Sequence, residues 1–302
     1  MTGISAHFGD RLSHHIEQTG SVLCMGLDPH LGRMPALFGS DAPQIGSVET
    51  ISAIERFAMA AIEVAAGKLP AIKPQVALFE QHGPEGMALL AKIGTEARRR
   101  NLLCIMDAKR GDIGSTSAAY ARAWMGAESV FAGDALTINA YMGLDSITPY
   151  LERARDTGSG VFILLRTSNP GAADIQGLHV DNKPVFHHLS DLLKPEIEAQ
   201  TGQSGLSSVG MVVGATWPEE AAELRQMLPQ APFLIPGFGA QGADAQMACS
   251  GLTQTENHYS AGLVNASRGL TFAPELAEAS SLADWQDRLA AKISEMNADL
   301  RP

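Results

Sequence analysis

The chain has 302 residues, of which 45% are hydrophobic and 18% are charged, so it can bury a sizeable core as a globular protein. Its formal net charge of −11 argues against nucleic acid as a main partner, because proteins that bind nucleic acid present basic surface to the phosphates. A small anionic ligand remains compatible with this charge, since a local site can override the global balance.

Short apolar runs alternate along the chain with longer amphipathic segments. The runs are nearly all apolar rather than alternating, as expected for parallel strands that are buried on both faces. We predict a strand over each of eight runs: Ser21–Asp28, Leu69–Pro74, Leu102–Ala108, Ala135–Asn139, Gly160–Arg166, Val209–Gly214, Phe233–Gly237 and Ala261–Ala266.

Helices are predicted before, between and after these strands. An N-terminal helix precedes the first strand. Apolar residues at helical spacing then predict helices over Val48–Ala66, Glu85–Arg100 and Ser115–Ala127. Thr216 to Glu219 resembles a capping box that opens a helix through Met227. A C-terminal helix is predicted over Ala283–Asp299.

Eight repeated βα units predict an α/β protein, a (β/α)8 (TIM) barrel that forms a single domain over residues 1–302. An open, doubly wound sheet is the alternative. The longest irregular stretch is Ser168–Pro184 after the fifth strand, and a loop of that length is more often functional than accidental. Pro29–Gly46 is a second loop-rich insertion, to which the sequence assigns no role.

Charged residues follow directly after the first three strands. In such barrels the active site lies at the carboxyl ends of the strands. Asp28 ends strand 1, Lys73 ends strand 2, and strand 3 ends in a segment that contains Asp107, Lys109, Arg110 and Asp112. Each charge alone could be a solvated loop residue or part of a structural ion pair. Their convergence on one rim favours a site, because unpaired like charges in a cleft are costly.

Asp107 and Lys109 are two residues apart, and residues i and i+2 of a strand point to the same face. Both side chains are therefore expected to project into the barrel mouth, with Asp112 in the turn that leads to the next helix. A lysine between two carboxylates stays protonated, because nearby opposite charges favour the charged form. We interpret Lys109 as a positioned proton donor rather than a Schiff-base nucleophile, which needs a depressed pKa.

The last two strands run into the segments Gly237–Gly242 and Asn265–Gly269. Loops 7 and 8 of such barrels often bind phosphate through backbone N–H groups. Arg268 offers a bidentate partner for phosphate, Gln241 a neutral donor, and Gly239 a close approach of the backbone. The GFGAQG stretch also matches a dinucleotide fingerprint, but the next strand does not end in the acidic residue that a ribose needs. Glycines that serve only turns are the other alternative.

The sequence also predicts a cytoplasmic protein. Cys24, Cys104 and Cys249 are odd in number and widely spaced, which favours reduced core thiols over disulfides or zinc ligands. The first residues contain no apolar stretch of the signal-peptide type, and no run approaches the roughly 18 apolar residues that cross a bilayer. We therefore expect no membrane association.

Four segments, in this order, together resemble the orotidine 5′-phosphate decarboxylase family: GLDP, IKPQ, DAKRGDIGST and PGFGAQG with NASRG. They extend from about Ser21 to Gly269. The RTSNPGA segment and the chain length resemble the second bacterial subgroup of this family. The D-x-K-x-x-D element alone is less specific, because other sugar-phosphate decarboxylases and aldolases of the superfamily share it.

The resemblance implies a catalytic set of Lys73, Asp107, Lys109 and Asp112. Asp107 would stand beside the substrate carboxylate, and Lys109 would protonate C6 of the pyrimidine. Lys73 would also contact the ribose hydroxyls, and Asp112 would reach the neighbouring subunit's site in a homodimer.

The resemblance also implies the residues that bind the substrate. Asp28 would contact the ribose hydroxyls, and Thr116 would act across the dimer interface. Ser168 would contact the pyrimidine, with Thr167 and Asn169 as alternatives. Gln241 and Arg268 would bind the phosphate.

The implied reaction is decarboxylation of orotidine 5′-monophosphate (OMP) to UMP and CO2, the last step of UMP biosynthesis, with no cofactor and no metal. Loss of CO2 from C6 leaves a carbanion without a π system to accept the electrons, so the protein must lower the barrier electrostatically. One alternative is a metal-dependent sugar-phosphate decarboxylase or aldolase on the same barrel. Another is a non-catalytic phosphate-ligand sensor, which would not need all four catalytic residues.

Overall fold

Eight parallel strands close into a barrel in the computed structural model, which describes residues 7–39, 44–239 and 242–302. The predicted fold is thus confirmed, and the open sheet is wrong. Around the barrel the order is β1-β8-β7-β6-β5-β4-β3-β2, so that the last strand pairs with the first. The strands are β1 (Leu23–Leu27), β2 (Ala71–Pro74), β3 (Leu103–Arg110), β4 (Ala135–Ile138), β5 (Gly160–Arg166), β6 (Val209–Val213), β7 (Phe233–Pro236) and β8 (Gly262–Ala266).

Most residues of these strands are buried, because side chains alternate between the barrel interior and the layer of helices outside it. The helices are Phe8–Thr19, Val48–Ala65, Ala77–Glu80, Gly83–Arg99, Gly114–Trp124, Leu144–Thr157, Val185–Ala199, Pro218–Met227, Ala245–Cys249, Arg268–Thr271, Pro274–Ala277 and Leu282–Asp299. Within the described residues, no helix has both the length and the apolar character that crossing a membrane requires.

The N-terminal helix packs against the amino ends of the strands. Phe8 meets Phe162 edge to face at 5.8 Å between ring centroids, and it lies so close to Gly160 that a Cβ there would be 2.3 Å from the ring. Arg11 pairs with Asp134 just before β4 at 2.5 Å. Because this end of the barrel is covered, the open end is the carboxyl end.

The insertion after β1 has a structural role that the sequence did not indicate. It contains two single-turn 3-10 helices, Leu31–Arg33 and Ala36–Phe38. The Phe38 ring is buried, 5.0 Å from Trp285 of the C-terminal helix and 5.5 Å from Phe57. It therefore joins the helix Val48–Ala65 to the C-terminal helix.

Two local predictions were wrong. The segment Ser168–Pro184 is not irregular: it contains a 3-10 helix over Pro170–Asp174 and an antiparallel ribbon of His179–Val180 with Lys183–Pro184. The predicted capping box is also absent, because the helix begins at Pro218 and its cap residue makes no side-chain hydrogen bond. The Thr216 hydroxyl instead donates to the carbonyl of Ser168 at 3.3 Å, so it holds the loop after β5 rather than the helix.

Candidate active site

The carboxyl ends of the barrel strands enclose a cavity of about 470 Å³. Six residues that the sequence predicted for the site lie in its wall: Asp28, Lys73, Asp107, Lys109, Ser168 and Arg268. They come from strands 1, 2, 3, 5 and 8, or directly follow them, so the barrel brings together residues far apart in sequence.

Asp107 is the centre of the charged cluster in this cavity. Its Oδ2 accepts hydrogen bonds from Lys73 Nζ at 2.6 Å and from Gln75 Nε2 at 3.1 Å. Its Oδ1 accepts from Lys109 Nζ at 2.6 Å and from Thr137 Oγ1 at 3.0 Å. Four donors thus fix the orientation of one buried carboxylate, and two of them are cations.

The charges of this cluster stabilise one another. Burial alone would raise the pKa of Asp107, but the charges of Lys73 and Lys109, with their hydrogen bonds, hold it well below its usual range. Burial alone would lower the pKa of Lys73, but attraction to Asp107 and Asp28 outweighs burial and raises it. At neutral pH the cluster therefore contains an ionised Asp107 and a protonated Lys73.

Lys109 reaches Asp107 by a different route from the predicted one. The pairing of β3 with β4 changes register between Met106 and Arg110, which marks a bulge. Lys109 has a left-handed backbone, with φ at +47°, and its N–H donates to Thr137 Oγ1 at 2.9 Å. The side chain is 46% exposed and lines the cavity. The simple i, i+2 alternation is thus interrupted, yet both side chains meet in the barrel mouth.

Asp112 and Thr116 do not line this cavity in the described part of the chain. Asp112 Oδ1 accepts from the N–H of Ile113 at 2.8 Å, and Thr116 is exposed on the first turn of the helix Gly114–Trp124. Among the described residues, Asp112 is therefore not the second carboxylate beside Lys109 within one chain. Their predicted role across a subunit interface stays a prediction.

The loop after β5 is held at its first residue, Thr167. The Thr167 N–H donates to Gln176 Oε1 at 2.8 Å, and its carbonyl accepts from Trp217 Nε1 at 3.0 Å. Its hydroxyl accepts from Gln176 Nε2 at 2.9 Å and donates to Asn169 Oδ1 at 2.7 Å. Ser168, the next residue, lines the cavity with its N–H and hydroxyl unbonded to any described residue.

A buried arginine anchors this loop from behind. Arg166, the last residue of β5, pairs with Glu220 at 2.5 Å. Its guanidinium stacks over the ring of Trp217 at 4.0 Å and lies 5.5 Å from the ring of Phe186, which follows the loop. Arg166, which precedes the loop, therefore contacts a residue that follows it, and through Trp217 it supports Thr167.

Elsewhere in the cavity wall, Arg268 follows β8 and is exposed. Gly237 lines the cavity with φ at +112°, a conformation that favours glycine. Gly239 also has a positive φ, +72°, but it lies beyond this cavity and lines a neighbouring one of about 540 Å³. Gln241, the other predicted phosphate ligand, lies outside the described residues.

Gly26 of β1 determines how closely β8 approaches. A Cβ on Gly26 would lie 2.6 Å from Cβ of Ser267 and 3.1 Å from its Cα, closer than side chains pack. Asp28 lies two residues after Gly26, and Arg268 lies one residue after Ser267. This contact therefore brings the end of β1 and the end of β8 together in one wall.

Five polar residues of the cavity wall were not predicted as site residues: Gln75, Thr137, Gln176, Asn265 and Ser267. Gln75 belongs to the IKPQ segment, and Asn265 to the NASRG segment, so the motifs contained them without indicating a role. Thr137 and Gln176 carry no charge and stand in no motif. Their positions are evident only from the hydrogen bonds that they make to Asp107 and Thr167.

The fold and the site together define a class: a (β/α)8-barrel enzyme with a Lys–Asp–Lys cluster at its mouth and an arginine at the end of its last strand. Comparison with known proteins narrows this class. Residues 21–282 match the family described as "Orotidine 5'-phosphate decarboxylase / HUMPS family", and the chain belongs to this family.

Relatives named orotidine 5′-phosphate decarboxylase match most of the chain. The protein from Rhodopirellula baltica is 38% identical over 301 residues, which cover 97% of this chain and 99% of the relative. The protein from Thermomicrobium roseum is 40% identical over 269 residues, or 88% of this chain and 87% of the relative.

Solved structures of proteins with this name are also similar to the chain. A crystal structure of a protein from Streptomyces avermitilis, named as a putative orotidine 5′-phosphate decarboxylase, has a TM-score of 0.79 and 32% identity, covering 97% of this chain and 96% of that one. A crystal structure of a protein from Toxoplasma gondii, named as a putative orotidine-monophosphate-decarboxylase, has a TM-score of 0.77 and 30% identity, covering 98% of each chain.

Proposed function

We propose that this chain decarboxylates OMP to UMP and CO2, as the enzyme of the last step of UMP biosynthesis. The observation that carries the proposal is the contact of Lys109 Nζ with Asp107 Oδ1 at 2.6 Å in the wall of the cavity. This contact places an ammonium group and a carboxylate beside one another where a substrate can reach both. Family membership supports the same reaction.

The reaction breaks the bond between C6 and the carboxylate carbon, and the electron pair stays on C6 as CO2 leaves. The Lys109 ammonium group stabilises this developing negative charge and then transfers a proton to C6, and the resulting amine regains a proton from solvent. Asp107, held by its four donors, repels the substrate carboxylate, and that repulsion disappears when CO2 departs.

The remaining residues bind and orient the nucleotide. Asp28 and Lys73 contact the ribose hydroxyls, and Arg268, with Gln241 and Gly239, binds the phosphate. The phosphate is remote from C6, so its binding energy serves to position the reacting carbon rather than to change its chemistry.

Ser168 is the residue that contacts the pyrimidine. Thr167 uses its N–H, carbonyl and hydroxyl hydrogen within the protein. Asn169 uses its Oδ1 to accept from that same hydroxyl. The N–H and hydroxyl of Ser168 both remain for a ligand, which favours Ser168 over its two neighbours.

The working form in this proposal is a homodimer with shared active sites, in which Asp112 and Thr116 reach the partner's cavity. Ile113, between them, is 57% exposed in the single chain, as expected of a residue that a partner covers. We further propose that the chain forms a single domain and works in the cytoplasm. The three cysteines are free and buried, which fits a reducing compartment.

One assay tests the reaction and separates it from the metal-dependent sugar-phosphate alternative. The loss of OMP absorbance is followed with purified protein, with and without a chelator. We expect turnover that the chelator does not change. No turnover of OMP, or turnover that EDTA abolishes, would contradict the proposal.

Lys109→Ala tests the proton donor. We expect kcat to fall by at least roughly 10⁴-fold, because proton transfer and charge stabilisation each contribute about 10² or more. The affinity for UMP and the Tm should change little, because the Lys109 side chain is 46% exposed and Asp107 keeps its ion pair with Lys73. Lys92→Ala, which removes an exposed helical lysine paired with Glu55, is the matched control and should keep the kcat of the unaltered protein. Near-normal turnover by the Lys109 variant would refute its role.

A further inference from the structure

Asn265 on β8 is a buried polar residue whose side-chain oxygen has no hydrogen bond to any described residue. Only 8% of the residue is exposed, and it lines the cavity. Buried polar atoms in folded proteins nearly always have a partner, so an unbonded one in the wall of a site points to a ligand. An amide oxygen only accepts hydrogen bonds, so the ligand must provide a donor.

Two neighbouring atoms show the same property. Asp28 Oδ1 and Ser267 Oγ are buried, line the cavity and make no hydrogen bond within the described residues. Both belong to the wall formed by the ends of β1 and β8, the two strands that Gly26 lets approach closely. The wall thus presents three polar atoms to which no described residue forms a hydrogen bond.

The position of Asn265 in the barrel indicates which part of a nucleotide it contacts. It pairs with Cys24 of β1 on one side and with Pro236 of β7 on the other. It therefore lies between the strand that carries Asp28 and the strand that leads to Gly237, three residues before Arg268. Ser168, on the side of the pyrimidine, follows β5, three strands away around the barrel.

The substrate has few donors to offer at this position. Phosphate oxygens and base carbonyls only accept, and the N–H of the pyrimidine ring belongs with the base near Ser168. The ribose hydroxyls remain, and they are the part of the nucleotide that lies between base and phosphate.

We propose that Asn265 accepts a hydrogen bond from a ribose hydroxyl and so helps the site to select ribonucleotides over their deoxy analogues. This inference rests on the proposed function, because it takes the ligand to be a pyrimidine ribonucleotide. Asn265 complements Asp28: the carboxylate attracts the hydroxyls by charge, whereas the neutral amide adds selectivity without adding repulsion toward the nearby phosphate.

If Asn265 binds a ligand, its substitution should affect stability differently from the substitution of a structural asparagine. A polar atom without a protein partner contributes no hydrogen bond to the fold, so an apolar residue of similar shape should be nearly neutral for stability. Asn265→Leu should therefore keep or raise Tm. Asn297→Leu is the matched control, since Asn297 Oδ1 accepts from Ser21 Oγ at 2.6 Å away from the cavity, and its loss should lower Tm.

The test measures the dissociation constants of UMP, 2′-deoxy-UMP and 3′-deoxy-UMP for the unaltered protein and both variants. Asn265→Leu should weaken UMP binding by about 3- to 10-fold, the value of one hydrogen bond between uncharged groups. It should weaken binding of one deoxy analogue much less, so that the preference for the corresponding hydroxyl falls by the same factor. Asn297→Leu should change none of the three constants.

Three outcomes would overturn the inference: equal loss of affinity for all three nucleotides, unchanged preferences in Asn265→Leu, or a drop in its Tm as large as that of Asn297→Leu. A parallel OMP assay on the unaltered protein separates a failure of the role of Asn265 from a failure of the proposed function. If that protein turns over OMP while Asn265→Leu discriminates normally, only the role of Asn265 fails. If it neither binds UMP nor consumes OMP, the proposed function fails with it.

Discussion

The ion pair between Lys73 and Asp107 can be tested by a double-mutant cycle that separates its two opposing energies. The atoms are 2.6 Å apart, and both side chains are more than nine-tenths buried. At an effective dielectric constant of about 20 their attraction is roughly 6 kcal/mol, and burial of each ion opposes it by several kcal/mol. The net contribution of the pair to the free energy of unfolding is therefore small, but loss of one partner alone lowers that free energy strongly.

Asp107→Asn leaves Lys73 as a buried cation without its contact anion, and we expect the free energy of unfolding to fall by about 3–5 kcal/mol. Lys73→Met should cost less, because Asp107 keeps Lys109 at 2.6 Å. The double variant should recover most of the loss, since replacing both ions is often neutral. The coupling energy should thus be about 2–4 kcal/mol.

Urea unfolding of the four proteins at pH 7 gives this coupling, provided that the m-values agree. The outcome that contradicts this reasoning is additivity of the two substitutions to within about 0.5 kcal/mol, as at distant sites. That result would show that the two charges do not stabilise one another in the folded protein.

The same proteins have a predicted pH dependence. In the unaltered protein the pKa of Lys73 is raised above 10.5, so its stabilisation is complete below that pH and is lost as pH rises through the raised value. The pKa of Asp107 is lowered from 3.8, so its stabilisation is present above that pH and is lost as pH falls through the lowered value. In Asp107→Asn, burial acts on Lys73 with less opposition and lowers its pKa. The deficit in unfolding free energy should therefore shrink as pH rises toward 10.5, and a constant deficit would contradict this assignment.

Two further predictions concern subunits and the loop after β5. A mixture of Lys109→Ala and Asp112→Ala proteins, each inactive alone, should recover about a quarter of full activity when the subunits can exchange. Half of the dimers are then mixed, and one of the two sites in each mixed dimer is intact. No recovery in an OMP assay would count against shared sites. Trp217→Phe removes the donor to the Thr167 carbonyl but keeps an aromatic ring beside Arg166. We therefore expect KM to rise by about 3- to 10-fold, with a smaller change in kcat. An unchanged KM would show that this hydrogen bond does not position the loop.

The architecture was largely accessible from sequence because buried parallel strands produce continuous apolar runs. All eight strands begin and end within two residues of their predicted bounds. The convergence of Lys73 and Asp107 followed from their places at adjacent strand ends, since closed barrels bring those ends together. These inferences depend on patterns of period and position, which a linear sequence preserves.

What sequence could not provide depends on hydrogen bonds and backbone conformation. Thr137 is an ordinary strand residue until its hydroxyl is seen to contact Asp107, and Gln176 lies in a segment predicted as irregular. The capping assignment of Thr216 was wrong because a local motif competed with a tertiary partner, the carbonyl of Ser168. Lys109 adopts a left-handed backbone that few lysines take, and no propensity predicts it.

The glycine in β1 has a consequence for the length of ligand that the barrel can accept. Because position 26 has no side chain, Ser267 packs directly on the strand backbone. The spacing of the two backbones next to Asp28 and Arg268 therefore depends on this close contact. Those two residues are proposed to bind the sugar and the phosphate of one molecule. In that proposal, the missing methyl group at position 26 contributes to the spacing between the sugar site and the phosphate site of one nucleotide.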